Sequence, residues 1–126
     1  MGNFDIDLDF GQIYEEKVRK LFEGEGSIEV KTERDIWADT GNVAIEIRSR
    51  GKPSGISTTD AKWWIQVFTI DSDVKFMLMF RVDKLRKAVK YMYLNDLAHM
   101  VKGGDDNTSD LILVPITTLI LLNKKF

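Results

Sequence analysis

Two short stretches alternate apolar and polar residues with period two: IEVKTERD at 28–35 and VAIEIRS at 43–49. In the first, Ile28, Val30 and Thr32 fall on one face, and Glu29, Lys31, Glu33 and Asp35 on the other. In the second, Val43, Ile45 and Ile47 oppose Ala44, Glu46 and Arg48. Such alternation fits a pleated strand with one face buried, and no helix can reproduce it. The turn-forming Asp39-Thr40-Gly41-Asn42 lies between them, so the simplest arrangement is an antiparallel hairpin.

The remaining elements follow from periodicity. Residues 11–23, GQIYEEKVRKLFE, predict a helix with Tyr14, Val18, Leu21 and Phe22 on one face, ended by Gly24 and Gly26. An irregular stretch, SRGKPSGIS, precedes a helix start at Thr58-Thr59-Asp60 that would carry Trp63 and Trp64. Ile65–Thr69 and Lys75–Phe80 read as strands, the second with Met77 and Met79 in its core. VDKLRKAVKYMYL reads as an amphipathic helix with Val82, Leu85, Val89 and Met92 inward. A strand from Leu111 to Val114 is stopped by Pro115, and Trp37 and His99 are expected at the surface. The 126 residues make one domain, 1–126, of mixed α/β class in the order α-β-β-α-β-β-α-β.

Composition narrows the chemistry. There is no cysteine and one histidine, which removes disulfides, thiolate zinc sites and cysteine nucleophiles, and makes a Ser-His-Asp triad hard to assemble. No apolar run reaches the roughly 18 residues that span a bilayer. Asp5, Asp7 and Asp9 interrupt the early apolar residues where a signal peptide would need them, so a cytoplasmic location is expected. Catalysis would therefore rest on carboxylates, lysine or arginine, with a metal ion.

The hairpin's polar face supplies such a set. Pairing would bring Glu46 beside one or two of Lys31, Glu33 and Asp35, the register being open. Converging carboxylates need a cation, and oxygen ligands of this kind suit Mg²⁺ or Mn²⁺, which can activate water beside a phosphoryl group. The plainer alternative is a solvated sheet face with cross-strand Glu–Lys pairs, and spacing alone favours it.

The stretch from Ile28 to Trp64, with E-V-K-T-E, T-G-N, I-E and G-K-P-S-G-I in order, resembles the core of the PD-(D/E)XK nuclease superfamily, nearest to small phage-type nucleases. With flanking elements the similarity covers roughly residues 11–118. It implies a restriction-endonuclease-like core with a mixed central sheet flanked by helices, and Mg²⁺- or Mn²⁺-dependent hydrolysis of DNA. The resemblance gives Glu15 the role of the helical glutamate, Glu33 or Asp35 that of the first strand carboxylate, and Glu46 that of the second. Where the family has lysine this chain has Arg48, which cannot act as a base at neutral pH, leaving Lys31 to supply the amine from the neighbouring strand. Superfamily analogy also implies a dimer.

The net charge of −2 hides a local asymmetry. Arg48, Arg50, Lys52 and Lys62 face only Asp60 within 48–62, beside the expected site. Arg50, Lys52, Ser54, Lys62 and Trp37 are accordingly the candidate DNA contacts. Two rival expectations stand: a nucleic-acid-binding protein that kept the nuclease fold but lost turnover, and a non-enzymatic interaction protein.

Overall fold

The computed structural model describes residues 2–21, 23 and 27–126, with side chains from Phe10 onward; the expected helical contact of Phe22 and the terminating Gly24 and Gly26 lie outside the described residues. The chain runs α1 (Gly2–Lys20), β1 (Ile28–Arg34), α2 (Ile36–Thr40), β2 (Asn42–Ser49), β3 (Lys52–Pro53), β4 (Trp63–Ile70) and β5 (Asp73–Arg81). It continues through α3 (Val82–Leu94), β6 (His99–Gly103), β7 (Ser109–Pro115) and α4 (Ile116–Asn123). Two sheets form: a mixed one ordered β1-β4-β5, and an antiparallel one ordered β3-β2-β7-β6. Among the described residues no helix is long and apolar enough to cross a membrane.

The core lies between the sheets and the helices α3 and α4. Trp64, Phe68 and Phe80 come from the first sheet, Val43, Ile45 and Val114 from the second, and Leu85, Met92 and Leu119 from the helices. The amphipathic helix forms as its spacing predicts, with Val82, Leu85, Ala88, Val89 and Met92 buried. Strand β7 likewise runs to Pro115.

Several expectations fail. The hairpin does not form: β1 pairs parallel with β4, Ile28 opposite Trp63 through Arg34 opposite Thr69, while β2 pairs antiparallel with β7 and β3. The connection is a helical turn, α2, not a tight hairpin turn, and Gly41 closes it at φ 72°. Trp37 in that turn, expected at the surface, is half-buried. Its indole N–H donates to the Thr69 carbonyl at 2.8 Å, and its ring meets Phe68 and Phe76 edge-on, both at 5.3 Å. Anchored there, α2 directs β2 into the second sheet.

The helix expected from Thr58 is absent, because Trp63–Ile70 is one strand. The Thr-Thr-Asp signal is instead a turn in which the Thr59 hydroxyl accepts the Ala61 N–H at 3.2 Å, the same local chemistry as a helix cap. The aromatic and β-branched run WWIQVFTI then takes the extended conformation it favours. Both elements change the expected α-β-β-α-β-β-α-β order.

Met77 and Met79, expected in the core, are exposed: through Val67 and Ile65 they share the outer face of the sheet with the exposed Thr32 and Val30. Helix α1 starts nine residues before the expected position 11. Its Tyr14 and Val18 are exposed, and so is Glu15, so the inward side expected for Glu15 does not exist among the described residues. His99 is exposed as expected, on β6.

Candidate functional site

The burial of β1 is the reverse of what its composition indicates. Glu29, Lys31 and Glu33 are half-buried, whereas Val30, Thr32 and Arg34 are exposed. The parallel register explains this, since Glu29, Lys31 and Glu33 lie opposite Trp64, Gln66 and Phe68, which line the inner side of β4. Three alternate polar positions of β1 therefore face inward, where apolar side chains are the common occupants.

Glu33 sits where the two sheets meet. Its Oε1 accepts the Ala44 N–H of β2 at 2.9 Å and the Gln66 side-chain amide at 3.0 Å; the Gln66 carbonyl oxygen in turn accepts the Trp64 indole N–H at 2.8 Å. Its Oε2 makes no hydrogen bond among the described residues. A cleft of about 210 Å³ opens here, walled by Glu33, Trp37, Thr40, Asn42, Ala44 and Leu113. Burial pushes the Glu33 carboxyl above the ordinary glutamate range, and the Ala44 N–H only partly offsets it. Gln66 was missed by motif reasoning; the signal available was a lone amide inside the apolar run WWIQVFTI.

Glu46 lies two residues beyond Ala44 on the same face of β2, about 7 Å along the strand. Both its oxygens are held: Ser54 donates to Oε2 and Ser109 to Oε1, each at 3.0 Å. Ser54 belongs to the GKPSG stretch, so that motif docks directly on the second carboxylate. The remaining candidates disperse. Asp35 caps the start of α2 at φ 48° and its Oδ1 accepts the Asp71 N–H at 2.8 Å, which commits it to the β4–β5 turn. Lys31 Nζ stands 3.3 Å from Glu29 and 6.0 Å from the centre of the Trp64 ring. Arg50, Lys52 and Lys62 are exposed.

Arg48 departs from the expected geometry. A bulge in β2 sets Glu46 opposite Leu111 but Arg48 opposite Asp110. Because Asp110 and Leu111 are adjacent on β7, their side chains, and those of Glu46 and Arg48, project to opposite faces. Sharing one face with Glu46, as strict alternation predicts, is therefore corrected. Arg48 instead pairs with buried Asp110 at 3.3 Å, and Lys102 bonds the other Asp110 oxygen.

The Lys102 hydrogen bond, with the charges of Lys102 and Arg48, holds the Asp110 carboxyl below the ordinary aspartate range. A depressed carboxylate stabilises the fold above its unfolded value of 3.8, and that contribution is lost as pH falls through the lower folded value. Asp110→Asn should therefore lower the denaturation midpoint at pH 7 and flatten its decline below pH 4. Urea melts at pH 7, 4 and 3 check this, and parallel pH curves for variant and wild type would refute it.

Among the described residues no group of three or more Asp, Glu or His converges as a metal cage. Glu33 keeps one oxygen uncommitted among the described residues, whereas both Glu46 oxygens accept hydroxyl hydrogen bonds. What fold and site define is an α/β protein with a mixed sheet and a second antiparallel sheet, flanked by helices, with a half-buried carboxylate at their junction. Comparison with protein-family models, curated proteins and solved structures finds no significant match to this chain.

Proposed function

We propose that the chain is a metal-dependent nuclease with a restriction-endonuclease-like core, hydrolysing DNA phosphodiesters. The observation that carries this reading is the inward-facing polar side of β1, which leaves Glu33 half-buried in a cleft with one oxygen uncommitted. A structural ion pair would need neither the cleft nor the free oxygen. Glu33 and Glu46 would hold Mg²⁺ or Mn²⁺, and such an ion lowers the pKa of bound water and offsets charge on a phosphoryl oxygen. Lys31, next to Glu33 on the same face, would orient the attacking water or steady developing negative charge. Arg50, Lys52 and Lys62, all exposed, would meet the phosphates. Glu15 and Asp35 have no part in the proposed centre.

One observation favours the rival in which binding outlives turnover: Arg48 is bonded to Asp110 on the opposite face of β2, so of the two cationic candidates only Lys31 shares the face of Glu33. Incubation with supercoiled, linear, single-stranded and four-way-junction DNA, with Mg²⁺, Mn²⁺ or chelator, decides between them. We expect cleavage that needs metal, falling about 10- to 100-fold in Lys31→Ala and little in Arg48→Ala. Binding without cleavage on every substrate would support the rival, and neither binding nor cleavage would overturn both.

A further inference from the structure

Among the described residues the outer face of the mixed sheet carries no second layer. The register sets Val30 and Thr32 of β1, Ile65 and Val67 of β4, and Met77 and Met79 of β5 on that side, away from the inner row of Trp64, Gln66 and Phe68. Val30 is 56% exposed and Met77 57%, while Ile65 is buried yet stands apart from the main core. Helix α1 is the complementary case. Phe10, Tyr14 and Val18 follow one another at helical spacing with Ile13 beside them, and all four are exposed. Its ion pair, Arg19 with Glu16, stays within the helix. At its end Lys17, Lys20 and Leu21 wall a cleft with Trp63, which lies at the rim of the outer face. A helix with an apolar stripe and a sheet with a second apolar face each call for a partner layer.

We propose that α1 is an exchange arm: in a two-fold dimer the apolar stripe of each copy's α1 lies across the outer sheet face of the other. Charge selects this occupant. Residues 1–16 carry Asp5, Asp7, Asp9, Glu15 and Glu16 and no lysine or arginine. The outer face is bounded by Arg34 and Arg81 at opposite corners, Arg34 opposite Thr69 and Arg81 opposite Trp63. Lys75, at the register break between Phe76 and Val74, adds positive charge at the border whichever face it takes. Arg81 is shared with the exposed Asp83 at 3.3 Å, and Arg34 enters no ion pair among the described residues. An acidic arm thus meets an apolar face with a basic border. Length agrees as well: the 19 residues of α1 run about 28 Å, and the strands of seven to nine residues about 23–30 Å. In its own chain α1 leaves the sheet from the rim at Trp63 with its stripe bare, so the arm is open to a second copy whose face is equally bare. One chain holds both halves of the contact, and two reciprocal seatings close the pair and stop further growth. Together they cover on the order of 2,000 Å², the range of stable dimers.

The exchange stands independently of the nuclease reading. The chain has no cysteine, so introduced thiols report cleanly. Tyr14→Cys protein mixed with Val30→Cys protein should form a disulfide between chains under mild oxidation. The rate should be about tenfold that of Tyr14→Cys mixed with Lys87→Cys, an exposed control on α3. Sedimentation should show a dimer weakened about tenfold or more in Tyr14→Asp/Val18→Asp, whose far-ultraviolet circular dichroism should match wild type because both side chains are exposed in the single chain. The dimer should also weaken as salt rises, and Arg34→Glu should weaken it about tenfold at low salt. In the double variant Tyr14→Cys/Val30→Cys the disulfides should join two chains. Disulfides closing within one chain there would make the chain's own α1 the occupant and overturn the exchange. A monomer at every concentration, cross-linking no faster than the control, or a dimer indifferent to the α1 substitutions would each overturn it as well.

Discussion

Glu33→Gln should destroy metal-dependent cleavage while making the protein more stable at pH 7. The glutamine oxygen can still accept from the Ala44 N–H and Gln66, so the junction between the sheets is kept. What disappears is a negative charge that burial disfavours. Because burial raises the folded Glu33 pKa above its unfolded 4.5, the folded protein binds the proton more tightly. Wild-type stability therefore falls as pH rises from 4.5 through the higher folded value, then levels off. The glutamine variant has no such decline. Its advantage should be nil below pH 4 and full near neutrality, read as a higher melting temperature than wild type. Loss of the proposed metal ligand should lower cleavage about 100- to 1,000-fold. Thermal melts at pH 4 and pH 7, with cleavage rates in Mn²⁺, test both halves. A variant less stable than wild type at pH 7 would mean that Glu33 is a structural anion. Greater stability with undiminished cleavage would remove it from the centre. Added Mn²⁺ should narrow the stability gap, since a cation favours the ionised carboxylate that only wild type possesses.

Much of the fold could be read from the chain because its signals are local. The apolar positions of α3 and the β7 run ended by Pro115 need no information from elsewhere. The hairpin and the Trp63–Trp64 helix failed for a non-local reason. Whether β1 pairs with β2 or β4 depends on where α2 is anchored, and that is set by Trp37 meeting Thr69 and Phe68, about thirty residues away. The same non-local pairing decides which side of β1 faces inward, so Glu33 could be singled out from motif order but its burial could not. The separation of Arg48 from Glu46 needed the bulge, which leaves no mark in the alternation of VAIEIRS. Asp35 and Glu33 were indistinguishable by spacing and differ only through the Asp71 N–H that claims one of them.

Gly55→Ala should be among the most damaging single-methyl changes in the chain. Gly55 adopts φ +55°, and a Cβ there would stand 2.2 Å from the Glu46 carbonyl oxygen, 2.9 Å from its carbonyl carbon and 3.0 Å from its Cβ. These neighbours are central in a paired strand and cannot yield as a flexible side chain would. Two penalties combine: about 1 kcal/mol for alanine in the left-handed region, and the displacement of the 54–57 turn from β2, for a total of roughly 3 kcal/mol. Gly41→Ala separates the two, since Gly41 has φ +72° but nothing within 4 Å of its added carbon. It should lose only the conformational part, about 1 kcal/mol. The displacement also reaches the proposed centre: Ser54, next to Gly55, donates its backbone N–H to Ile47 and its hydroxyl to Glu46. Moving that turn releases the Glu46 carboxylate, so Gly55→Ala should cleave poorly even under conditions where it is fully folded, whereas Gly41→Ala should not. Urea melts of both variants with cleavage rates measured at low temperature check this. Equal destabilisation of the two would show that the turn moves freely, and the steric link between the G-K-P-S-G motif and Glu46 would fall.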